Sequence, residues 1–160
     1  YPGGVHIDKA AKQDNENAYR LPHPKVTGSE YDFSFSGLKT AVINLVHNSE
    51  QKGIEINKTD LAASFQKTVT ELLTEKTIAA AKFLGYKKIA VAGGVSANSG
   101  LRERMKNSCD ENGFELFIPL MSLCGDNAAM IGCQGYYDFL AGKSAESDLN
   151  AIATLSLEKL

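Results

Sequence analysis

The 160-residue sequence is poor in cysteine, has no surplus of basic charge and contains no long apolar run. Its three cysteines, Cys109, Cys124 and Cys133, are odd in number and form no CxxC pair. That leaves no basis for a disulfide framework or a cysteine-rich zinc site, and it fits reduced thiols in a cytoplasmic protein. No stretch approaches the roughly 18–20 apolar residues that span a bilayer, so no membrane role is expected. Formal net charge is −2. A dedicated nucleic-acid binder is usually basic, so any RNA contact has to be local or shared with a partner. His6, His23 and His47 form neither HxxxH nor HExxH and read as surface or structural residues. Neither GxGxxG nor the P-loop pattern occurs, and Ser96 has no evident base. The opening YPGGVHIDKAAKQ lacks the basic and apolar regions of a signal peptide and does not begin with Met. A larger parent chain, or a cut one, is expected.

What is present reads as a globular domain: 43% of residues are hydrophobic and 22% charged, in a chain long enough to bury a core. Residues 1–30 are polar and rich in turn formers, with a short helix expected over Ile7–Gln13. YDFSFSG (31–37) alternates aromatic and polar residues, the period-2 pattern of a half-buried strand, with LPHPKV as an edge hairpin partner. Leu38, Val42 and Leu45 begin a helix. Over Asp60–Leu84, Leu61, Phe65, Val69, Leu72, Leu73, Ala80 and Phe83 recur at helical spacing, and Gly85 stops that helix. A strand Ile89–Ala92 leads through Gly93-Gly94 to a helix carrying Leu101, Met105 and Cys109. FELFIP (114–119) reads as a second strand, and Asp126 as the start of a last helix with Ala129, Cys133, Tyr136 and Leu140 on one face. Strand, helix, strand makes a βαβ unit, usually parallel, whose ligands sit at the carboxyl ends of its strands.

Two such ends carry candidate chemistry. Gly93-Gly94 before a helix N-terminus is either a phosphate or nucleotide cradle or a plain strand–helix corner. Ser96 is placed to cap the helix, and Asn98 to read a ribose or amide with its paired donor and acceptor. In CGDNAAM, Asp126 is read by position as an N-cap, with metal ligand as the competing and compatible role. YPGG followed by Asp8 is a third glycine turn with an acid four residues on; by itself it reads as a Pro-Gly turn. LRERMK (101–106) reads as a solvated basic face, with RNA contact the alternative.

Taken in order, YPGG, YDFSFSGLKTAV, DLAASFQ, VAGGVSANSGLR and CGDNAAMIG resemble the tRNA N6-adenosine threonylcarbamoyltransferase family (TsaD type), once labelled O-sialoglycoprotein endopeptidases or glycoproteases. The resemblance runs from Tyr1 to about residue 142 and covers the carboxyl-terminal portion of a usual member. It implies an α/β fold of the ASKHA (actin/Hsp70/sugar-kinase) type, here a helix-rich carboxyl-terminal lobe with a small mixed sheet. The expected organisation is a helix/hairpin region at 1–58, a nucleotide-cleft βαβ core at 59–142 and a tail at 143–160.

The resemblance also implies an activity: transfer of the threonylcarbamoyl group from threonylcarbamoyl-AMP to N6 of the adenosine next to the anticodon, in tRNAs reading codons that begin with A. It assigns adenylate contacts to Gly4, Asp8 and Asn98, and the Gly93-Gly94 corner, a nucleotide-binding candidate from its glycines, becomes a wall of the same site. It makes Asp126 a ligand of one divalent metal, iron or zinc, which would polarise the carbamoyl carbonyl while the adenosine amine attacks and AMP leaves. Implied partners are tRNA, an inactive TsaB-type paralogue and a small TsaE-type ATPase. The family's HxxxH helix and amino-terminal adenylate loop are absent from the sequence, so the isolated chain is expected to bind metal weakly and not to catalyse. The alternatives kept open are a small-molecule kinase lobe of the same fold and a non-catalytic interaction module, including a homodimer.

Overall fold

A computed structural model of the chain describes residues 2–12, 14–28, 30–147 and 149–154. It divides into two compact units, Tyr1–Gly125 and Asp126–Leu160. The first holds helices α1 (Pro2–Ala11), α2 (Ser36–Gln51), α3 (Lys58–Leu84) and α4 (Ser99–Asn112) and strands β1 (Lys88–Ala90) and β2 (Glu115–Phe117). The second holds α5 (Ala128–Leu140). No helix among the described residues is long and apolar enough to cross a membrane.

The centre of the larger unit follows from α3. At 1.5 Å per residue its 27 residues run roughly 40 Å. Asn57 caps it by accepting from the N–H groups of Thr59 (3.0 Å) and Asp60 (3.3 Å). Gly85 ends it at φ 73°, a left-handed conformation that glycine adopts without a Cβ penalty. Ile78 and Ala81 of α3 bury against Ile89 of β1, Leu101, Met105 and Cys109 of α4, and Phe114. The expected stripe on α4 is therefore core. On α3, Leu72 is buried and Leu61, Phe65, Val69, Leu73 and Ala80 are half-buried, whereas Phe83 is 75% exposed. Much of the buried face is instead small and polar. Thr68 and Thr77 satisfy their hydroxyls by donating to the carbonyls of Ser64 (2.8 Å) and Leu73 (2.7 Å) one turn back.

β1 and β2 pair in parallel, with Ile89 opposite Leu116, on either side of α4. The βαβ reading holds, with strands shorter than expected at both sites. The sheet is purely parallel, so the mixed sheet is corrected: among the described residues there is no antiparallel strand.

The aromatic alternation of YDFSFSG does not form a strand, and LPHPKV does not pair with it. Phe33 and Phe35 stack on each other (6.3 Å between centroids), and Tyr31 lies against Phe83 (5.7 Å). Lys76 of α3 donates to the Asp32 carbonyl and sits 5.7 Å above the Phe33 ring. A side chain takes the carbonyl a neighbouring strand would have used, and the aromatic side chains find partners without a sheet. At the other end, α1 begins at Pro2 rather than Ile7, so Gly3 and Gly4 lie in its first turn; Gln13 lies outside the described residues. Proline suits a first helical position because its missing N–H would have had no partner there.

Burial, and secondarily the neighbouring Asp110 charge, push the Cys109 thiol up from its ordinary value. Cys109 and Cys124 are buried and Cys133 is exposed. Titration with a disulfide reagent at neutral pH should find Cys133 fast, and Cys109 and Cys124 reactive only on unfolding. Because the folded chain holds the Cys109 proton more tightly, that contribution to stability is intact below the free thiol's pKa of about 8.5. It is lost as pH rises through the elevated folded value. Urea unfolding of Cys109→Ala should show a flatter alkaline limb than the parent; an equal slope would contradict the assignment.

Candidate functional site

The site is built around the N-terminus of α4. Helix α1 is brought to it by packing on α3, and α3 in turn packs on α4. The loop after α1 is pinned to α3, with the Asn15 N–H donating to Asp60 Oδ1 (2.9 Å) and the Tyr19 N–H to Ser64 Oγ (3.1 Å). This places Asp8 so that its Oδ1 accepts from both the N–H (3.1 Å) and the hydroxyl (2.7 Å) of Ser99. Lys12 lies 3.9 Å from its other oxygen. Asn98 caps the same helix, its Oδ1 accepting from the Leu101 N–H at 2.9 Å. A carboxylate and a carboxamide therefore answer two of the leading N–H groups, where the helix dipole favours negative charge.

That geometry corrects the expected cap. Ser96 does not cap α4; it is buried in a 3-10 turn, Gly94–Ala97, where its hydroxyl donates to the Gly93 carbonyl at 2.6 Å. Gly93 precedes this turn and Gly94 is its first residue, so neither glycine opens α4 directly. Gly93 has φ 84° and ψ 174°, a conformation essentially reserved for glycine. Gly94 has no such requirement, and a Cβ there would meet nothing within 4 Å. Asp126 is also not the cap of α5. Asn127 holds that role, accepting from the Met130 N–H at 3.1 Å, and Asp126 precedes it as an exposed residue.

Several of the expected residues converge. Gly4 and Asn98 line one small cavity of about 150 Å³, walled mainly by Ile7, Phe65, Val69 and Leu101. Asp8 lies one turn beyond Gly4 on α1. Gly93 and Gly94 lead into Val95, which borders the same cavity. Asp126 belongs to the other unit. Among the described residues no three His, Cys, Asp or Glu side chains form a metal-binding group. His23 faces Glu71 at 3.6 Å and His47 faces Gln51 at 3.0 Å. One exposed carboxylate does not match the three or four ligands a zinc-type ion takes from a protein, so Asp126 by itself is no metal site.

Arg102 is the residue the sequence pattern did not single out. It is not part of a solvated basic face. Its Nη1 donates to the Ser96 carbonyl (2.8 Å) and lies 3.7 Å from Cys124 Sγ, and its Nη2 donates to the Pro119 carbonyl (2.9 Å). One guanidinium thereby ties the turn after β1 to the segment after β2, the two strand ends singled out above. The fork of planar donors suits this; a lysine has no equivalent. A signal existed: Arg102 precedes Cys109 by seven residues, which at 3.6 residues per turn sets it about 20° from Cys109, on the flank of the buried face of α4. Arg104 pairs with Glu71 of α3 at 3.2 Å.

Arg102→Ala is expected to cost about 2–3 kcal/mol in urea unfolding, the range for hydrogen bonds made by a charged group. Arg104→Ala removes a partly exposed ion pair and should cost under about 1 kcal/mol. Equal losses would count against the tie.

The profile of a family described as "TsaD: tRNA N6-adenosine threonylcarbamoyltransferase" matches residues 1–133. The chain is similar to proteins of that same description. It is 48% identical to one from Clostridium botulinum (strain Kyoto / Type A2) over 157 residues, 98% of this chain and 46% of that protein. It is 50% identical to one from Listeria innocua over 162 residues, 100% of this chain and 47% of that protein. It is 45% identical to one from Clostridioides difficile (strain 630), covering 99% and 47% of the two chains. The chain spans about half the length of the curated relatives it matches.

Proposed function

This chain belongs to the tRNA N6-adenosine threonylcarbamoyltransferase family, and from that premise we propose that it supplies one wall of an adenylate site in a tRNA-modifying transferase. The reaction is transfer of a threonylcarbamoyl group from threonylcarbamoyl-AMP to N6 of the adenosine beside the anticodon, in tRNAs reading codons that begin with A. The N6 nitrogen attacks the carbamoyl carbonyl carbon and a C–N bond forms. The bond from that carbon to the phosphate oxygen breaks, AMP leaves with the electron pair, and the amine proton passes to solvent. The reading carries with it an ASKHA-type lobe, a cytoplasmic setting, and tRNA, a TsaB-type paralogue and a TsaE-type ATPase as partners.

The observation that supports it is that Gly4 and Asn98 border one cavity while Asp8, one turn beyond Gly4, bonds Ser99 next to Asn98. Asp8 offers carboxylate oxygens to the hydroxyls of a ribose, and Asn98 offers a paired donor and acceptor. Gly4 adds no side chain beside the cavity, and Gly94 leaves open space at the corner. Asp8 and Asn98 already occupy N–H groups of α4, so this helix end is not a phosphate cradle of the P-loop kind. The chain's part is to bind and orient the adenosine moiety, and orientation is itself a large share of such a rate.

The cavity's 150 Å³ lies below the roughly 300–1,000 Å³ of small-molecule pockets. It accommodates part of an adenylate and leaves the remainder to a second wall. In the proposed transferase Asp126 would contribute one metal ligand beside ligands from elsewhere. The chain by itself does not catalyse.

Asp8→Asn keeps an oxygen for the Ser99 N–H and removes the charge. It should weaken AMP binding about tenfold by calorimetry, the scale of a charge-assisted hydrogen bond. Binding unchanged within about twofold would remove Asp8 from the adenylate site. The isolated 160-residue chain, supplied with threonylcarbamoyl-AMP and tRNA, should yield no modified adenosine by mass spectrometry; robust product would overturn the half-site reading.

A further inference from the structure

The Asn98 side chain does not stand alone at the cavity. Its Nδ2 donates to Gln66 Oε1 of α3 at 2.7 Å, while its Oδ1 accepts from the Leu101 N–H at 2.9 Å. A carboxamide can turn over and exchange its oxygen and nitrogen. Here the Leu101 N–H demands the oxygen on one side, and the nitrogen on the other side meets the Gln66 oxygen, which holds the carboxamide plane against rotation. One N–H and one oxygen lone pair of Asn98 remain for a ligand. Gln66 borders the same cavity as Asn98 and Gly4.

Gly100 makes room for this arrangement. A Cβ at position 100 would stand 2.8 Å from Gln66 Nε2 and 3.3 Å from its Cδ. The φ of Gly100 is not among the positive ones, so no backbone requirement explains the glycine. Its lack of a side chain admits the Gln66 carboxamide against the first turn of α4. Three residues from two segments far apart in sequence, the DLAASFQ helix and the SANSG turn, thus form one device.

We propose that Gln66 is a positioning residue that fixes the orientation of the Asn98 carboxamide for adenosine recognition, and that Gly100 is glycine to admit it. The proposal rests on the reading of Asn98 as an adenylate contact, and it goes further by naming what presents that contact to the ligand. It concerns the specificity of binding, since a fixed donor and acceptor pair rejects a ligand whose groups are reversed.

The test is AMP binding by calorimetry in the protein as its gene encodes it. Gln66→Leu keeps the size of the side chain and loses the acceptor. It should weaken AMP about fivefold, the scale of one neutral hydrogen bond. Gly100→Ala should reproduce that loss by displacing Gln66. Asn98→Ser retains a good helix cap and removes the carboxamide, so it tests Asn98 without unfolding α4.

The decisive measurement is the double variant Gln66→Leu with Asn98→Ser. A residue acting through Asn98 has no effect once the carboxamide is gone, so the double variant should bind like Asn98→Ser alone. The Asn98 side-chain NH2 resonances should also shift in Gln66→Leu while the unfolding midpoint stays within a few degrees. Losses that multiply in the double variant would show that Gln66 acts independently and would overturn the proposal. So would a Gln66→Leu protein that binds like the parent while Asn98→Ser is weakened. If Asn98→Ser itself binds AMP like the parent, the adenylate reading fails first, and the proposal with it.

Discussion

The first turn of α4 leaves backbone N–H groups that no residue within the helix can satisfy, and the way they are satisfied organises the site. Asn98 answers the Leu101 N–H from the turn before the helix, and Asp8 answers the Ser99 N–H from another helix altogether. The second bond spans 91 residues. It holds α1 to α4 at Asp8, one turn beyond two glycines of low helix propensity in the first turn of α1. The residues that the resemblance assigns to adenylate contact are therefore also residues on which the local fold depends.

This double duty limits what the site can be. A helix N-terminus already occupied by a carboxylate is a poor place for a phosphate, because the ligand would meet like charge and no free donors at those positions. Hydroxyl groups suit it better, because a carboxylate accepts several hydrogen bonds at once. Arg102 connects the segments that follow the two parallel strands through the carbonyl oxygens of Ser96 and Pro119. A Cβ at Gly94 would meet nothing within 4 Å, so the corner is open there. A half-site of that kind gains from a second wall that excludes water and strengthens its hydrogen bonds.

Much of this was legible before any coordinates. Helix α3 declared itself by its spacing and by Gly85 at its end, and α4 by Leu101, Met105 and Cys109, which are all buried. Parallel pairing followed from the βαβ order. The misreadings share one physical cause. YDFSFSG has the period of a strand, but its aromatic side chains found partners on each other and on Phe83, and Lys76 took a ladder carbonyl. Ser96 and Asp126 are both good capping residues placed one or two positions too early; Asn98 and Asn127 took the caps instead. Local propensity ranks these residues closely, so the geometry of the preceding turn decides among them.

By itself the sequence determined helices α2 to α5, the two strands flanking α4 in sequence, the glycine corner and the family, because periodicity and ordered motifs are local properties of the chain. It could not show that Asp8 meets Ser99, that Gln66 meets Asn98, or that one arginine joins both strand ends. Those are hydrogen bonds between residues 91, 32 and 17 positions apart. Such bonds carry no period and leave no mark in composition. They exist because α3 packs against both α1 and α4, so packing of the core, rather than any local preference, selects which polar side chains meet at the site.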